Sequence, residues 1–120
     1  MNPKEAVRIA ICRVLLDIVE DMDGYIALAD CRHYNQLEEK AGLTGADFEK
    51  SRSVSVLSSL VVLKDMHYNQ KMLLALTVCD LYSEHLVVPL NKRIAFETLM
   101  NAIDWPISFS EILTISRAES

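Results

Sequence analysis

The sequence predicts an all-α protein, a bundle of six or seven helices in a single domain over residues 1–120. Three observations lead there. Apolar residues recur at helical spacing in segment after segment. The three prolines, at positions 3, 89 and 106, stay outside the long periodic segments. Start and stop residues of the kinds that helices use bracket most of those segments.

In chain order, Pro3 behind Asn2 reads as a first-turn proline after a capping side chain. Val7, Ile11, Val14, Leu15, Ile18 and Met22 then form a stripe, with Glu5, Arg8, Arg13, Asp17 and Glu20 mainly opposite. That is a long amphipathic helix ending near Asp23 and Gly24. A second begins around Leu28 to Asp30, places Tyr34, Leu37 and Ala41 on one face and Arg32, Gln36, Glu39 and Lys40 on the other, and stops at Gly42. Thr44 with Asp47 opens a short helical turn.

Residues 54–63 are rich in β-branched side chains, which favour a strand locally, yet a lone strand finds no partner elsewhere in the chain. Val54, Leu57, Leu60 and Val61 also fit one helix face, and helix is the reading adopted. From Asn69 to about Glu84 the chain is apolar on nearly every side through Met72–Cys79, as a helix at the centre of a bundle would be. Asn91 to Ile103 is amphipathic through Ala95, Phe96, Leu99 and Ile103, and stops at Asp104, Trp105 and Pro106. Ser108 and Glu111 spell a capping box for the last helix, with Ile107 and Ile112 placed to staple it.

At 120 residues the chain is long enough to bury a core without disulfides or a structural metal. Its net charge of −5 disfavours nonspecific contact with nucleic acid or anionic lipid, and its basic residues are scattered. No nucleic-acid binding is expected. Cys12, Cys31 and Cys79 lack the spacing of a metal site or a disulfide framework, and read as small apolar residues in a reduced compartment. The N-terminus lacks a basic region followed by an apolar core, and the longest nearly uncharged stretch, residues 51–63, is too short to span a bilayer. The expectation is a cytoplasmic protein without membrane insertion.

One stretch, EDMDGYIALAD at residues 20–30, crowds acidic side chains around a glycine. Asp21, Asp23 and Gly24 fit the third, fifth and sixth positions of a calcium loop, Ile26 the apolar eighth, and Asp30 the twelfth. The first position is Val19, which offers no side-chain oxygen, and Asp30 is shorter than the usual bidentate Glu. The other reading needs no metal: Gly24 turns the chain out of the first helix, and Asp30 sits in the first turn of the next, where a carboxylate suits the helix dipole. Two possibilities therefore stand, a plain helix junction and a weak hard-cation site on Asp21, Asp23 and Asp30. His85 joins the second if the halves of the chain pack face to face.

Those halves are related. Asp23–Asp30 set beside His85–Lys92, an offset of 62, brings Ile26 onto Val88, Leu28 onto Leu90, Leu37 onto Leu99 and the terminator Gly42 onto Asp104. The chain reads as two degenerate copies of a long helix, a short loop and a second helix. EDMDGYIALAD leading into HYNQLEEKAGL, with the weaker echo VCDLYSEHLVVPLNKRIAFETLMNAIDWP, resembles the TerB-like superfamily, the tellurite-resistance TerB domain and its bacterial relatives.

The resemblance covers roughly residues 6–105. It implies a degenerate two-fold pseudo-repeat of helices and a link between clustered acidic side chains and divalent metal. Asp23, Gly24 and Asp30 match by position, whereas the second copy has His85, Leu86 and Lys92 in the corresponding places.

Catalytic patterns are absent from the text of the chain. There is no HxxxH or HExxH around His33 or His67, no glycine-rich phosphate loop and no GxSxG. Glu38 and Glu39 read as a solvated face, and Met66, Met72 and Met100 as core fill. The expectation is not an enzyme but a protein-interaction module, which the resemblance would place in a bacterial stress-related pathway, with an unidentified protein partner and self-association left open. The alternative is a domain that senses or buffers calcium, magnesium or manganese through residues 21–30; an enzyme with an unrecognised site is third.

Overall fold

The structure is a computed structural model and describes residues 2–20, 28–83 and 88–118. Among the described residues seven α-helices and one 3₁₀ turn follow one another without a strand. They are α1 (Pro3–Glu20), the turn Leu28–Asp30, α2 (Arg32–Ala41), α3 (Gly45–Ser51), α4 (Val56–Leu63), α5 (Tyr68–Tyr82), α6 (Leu90–Ala102) and α7 (Phe109–Ala118). The predicted all-α architecture is what forms, and residues 56–63 are helix despite their β-branched content. The predicted end of α1 near Asp23 and Gly24 lies outside the described residues.

α5 is the axis. Every residue from Leu74 to Cys79 is buried, and the polar one among them, Thr77, donates its hydroxyl to the Leu73 carbonyl at 2.7 Å. α2 lies along one side of α5 through Tyr34 and Leu37, while α6 and α7 touch it on another. α1 packs on α3 and α4, and its buried stripe (Ile11, Val14, Leu15, Ile18) joins the same apolar core. Phe96 of α6 meets Phe109 of α7 edge to face, 5.4 Å between ring centres, a geometry that favours aromatic pairs.

The punctuation works as the sequence indicated. Asn2 Oδ1 accepts from the Glu5 N–H at 2.8 Å and starts α1. Gly42, at φ 74°, ends α2, with its own N–H and that of Leu43 both donating to the Glu38 carbonyl. Thr44 and Asp47 form a reciprocal capping box on α3, and Ser108 and Glu111 do the same for α7, over a fully buried Ile112.

Four expectations change. Asp30 lies in the 3₁₀ turn ahead of α2 rather than in its first turn, and Cys31 is the buried residue that precedes α2 rather than a helical one. Ala95 of α6 is exposed; Phe96, Met100 and Ile103 do the burying. The largest change concerns α4. Half of the face expected to turn inward turns outward, with Leu57 75% and Val61 62% exposed, while Val54 and Leu60 are half-buried and Ser59 and Leu63 are buried. Ala6, Ile9 and Ala10 of α1 border a gap of about 190 Å³ together with Val54, Ser58, Ser59 and Val62. Ser59 can go inward because its hydroxyl donates to the Ser55 carbonyl at 2.9 Å.

Candidate functional site

Of the three proposed cation ligands, Asp21 and Asp23 lie outside the described residues, as does His85. Asp30 is exposed at the end of the 3₁₀ turn. Upstream, Asp17 and Glu20 are exposed and reach cations on the surface, Arg13 at 3.6 Å and Arg52 at 3.4 Å. Among the described residues no group of three His, Cys, Asp or Glu side chains is arranged to hold a metal ion.

The cysteines are all buried. Burial pushes the Cys12 thiol up to about 12, with the Asp47 charge adding to the effect, and burial raises Cys79 as well. A nucleophilic cysteine needs thiolate and access. Cys12 and Cys79 have neither.

Sequence reasoning missed one pairing that resembles catalytic machinery. His33 of α2 is 1% exposed and its Nδ1 lies 2.8 Å from Asp80 Oδ2 on α5. The Arg32 guanidinium, which can only donate, stands 3.2 Å from His33 Nε2, so Nε2 accepts and the ring proton sits on Nδ1, pointing at Asp80. A general base must present a free nitrogen to its substrate. Here one nitrogen faces Asp80, the other faces Arg32, and the ring is buried. The pair is a tie between α2 and α5. The same Asp80 oxygen also accepts from the His33 backbone N–H at 3.3 Å, supplying the cap that Cys31 does not provide.

Two more buried polar groups are likewise structural. Asp47 Oδ2 accepts from Thr44 N–H and Oγ1 and from Arg8 Nε, all within 3.1 Å, and so ties α3 to α1. Lys71 is buried and its Nζ donates at 2.7 Å to the Lys64 carbonyl just past α4, where a positive charge suits the helix dipole.

The concave surfaces are then what remains. A cleft of about 530 Å³ runs between the start of α1, the end of α2 and the start of α5, with Lys4, Arg8, Lys40, Glu39, Asp65 and His67 around it. Its charges are of both signs, and Arg8 is committed to Asp47. A second groove, about 310 Å³, lies between α1, α4 and α6. Val14 and Ile18 line it from α1, Val56 and Leu60 from α4, Tyr82 from α5, Ala95 and Leu99 from α6, and among the described residues Asp17 is its one acidic or basic lining residue.

Beside this groove the helices carry exposed apolar ridges. On α4 these are Leu57 and Val61, one turn apart. On α6, Leu90 (72% exposed), Ile94 (56%), Thr98 and Ala102 make one row at four-residue spacing, and the last two line the groove itself. Of the charged residues of α6, Arg93 donates to Ser110 Oγ at 2.9 Å, Glu97 accepts from the Phe109 N–H at 3.1 Å, and Lys92 places its Nζ 5.6 Å from the centre of the Tyr82 ring, which lines the groove.

No protein-family model, curated protein or solved structure matches this chain.

Proposed function

We propose that this protein is a helical protein-interaction module whose working surface is the apolar face formed by α4 and α6 around the 310 Å³ groove. One observation carries the reading. α4, with the sequence VLSSLVVL, has no charged residue, yet it lies at the surface with Leu57 and Val61 exposed. A helix that is apolar all round is normally buried. An exposed apolar surface continuous with a groove marks an interaction site. Among the described residues, His33, Asp47, Lys71 and Thr77 are each engaged in a cap or a tie between or within helices, which supports binding as the role that the surface serves.

The TerB-like pseudo-repeat belongs to the same proposal. A longer helix followed by a shorter one occurs twice, as α1 with α2 and as α5 with α6. The two terminators that align at the offset of 62, Gly42 and Asp104, both take left-handed backbone, φ 74° and 58°. Each closes its helix with a backbone bond of the same kind, Leu43 N–H to Glu38 and Trp105 N–H to Met100. These correspondences support a duplicated unit.

The test is a photo-crosslinking residue placed at position 57, with the exposed position 39 on α2 as control, in cells that make the protein naturally. Discrete adducts from position 57 and none from 39 are the expected outcome. Equal, diffuse labelling from both would remove the α4–α6 face as the working surface.

A further inference from the structure

We draw no further inference here: the strongest candidate, the cleft of about 530 Å³ between the start of α1, the end of α2 and the start of α5, is bordered by exposed charges of both signs (Lys4 and Lys40 against Glu39 and Asp65) that single out no class of ligand.

Discussion

Asp80→Ala is the most telling single change, because one carboxylate oxygen serves two helices. In the parent, Asp80 Oδ2 accepts from His33 Nδ1 at 2.8 Å and from the His33 backbone N–H at 3.3 Å. The substitution leaves a ring N–H without its acceptor in a side chain that is 1% exposed, which costs about 1–3 kcal/mol. It also uncaps α2, whose N-terminal neighbour Cys31 makes no side-chain cap, for about 1 kcal/mol more. The Asp80 side chain is itself 20% exposed, so water can partly replace the lost oxygen. The expected loss is therefore about 2–3 kcal/mol, a large part of the 5–15 kcal/mol typical of a domain.

Urea unfolding followed by circular dichroism reads this as a lower midpoint at unchanged slope. Asp80→Asn keeps an oxygen for one of the two donors and should lose about half as much. A cycle with His33→Ala should show strong coupling, since most of the loss passes through His33. If Asp80→Ala loses less than about 0.5 kcal/mol, or if the two changes add independently, the carboxylate is not the cap of α2 and the tie between α2 and α5 lies elsewhere.

Four further outcomes are expected. Gly42→Ala should cost about 1 kcal/mol through positive φ alone, since a Cβ there meets nothing within 4 Å, whereas Asp104→Gly should gain a similar amount and Gly45→Ala should be neutral or slightly stabilising; thermal melts rank the three. Ser108→Ala removes the oxygen that accepts from the Glu111 N–H at 3.1 Å and should cost about 1 kcal/mol, and an unchanged melt would mean that α7 does not depend on this cap. Burial raises Cys12, Cys79 and Tyr34 above their ordinary values of 9.0 and 10.0, so above about pH 9 the unfolded chain releases protons that the folded one retains; stability should fall with rising pH from there, and a flat profile would contradict the burial of these groups. Calcium, magnesium or manganese at about 1 mM should leave the melting temperature unchanged; a rise that Asp21→Asn with Asp23→Asn abolishes would instead establish residues 21–30 as a cation site.

What the sequence made legible is what four neighbouring residues can encode. Asn2 for α1, Thr44 with Asp47 for α3, Ser108 with Glu111 for α7 and Gly42 after α2 all place donor and acceptor within one turn of each other. α5 was legible for a different reason. A segment apolar on every side has few stable places other than the middle. The ties were not legible. Asp80 stands 47 positions from His33, and Arg8 stands 39 from Asp47. Nothing in the local text distinguishes Asp80 or Asp47 from a solvated surface carboxylate until the helices that carry them meet.

α4 shows why periodicity can find a helix and still misplace its face. A stripe is informative when the opposite side is charged, because charge must stay wet. Val56–Leu63 offers only two serines as contrast, and serine tolerates burial once its hydroxyl bonds the turn behind it, as Ser59 does. With no charge to anchor either side, the packing partner decides. Ser59 and Leu63 go in, Leu60 and Val62 pack partly against the core, and Ser58 stays exposed. Leu57 and Val61 then have no place but the surface. The apolar ridge is thus the side of an uncharged helix that its packing against α1 leaves over.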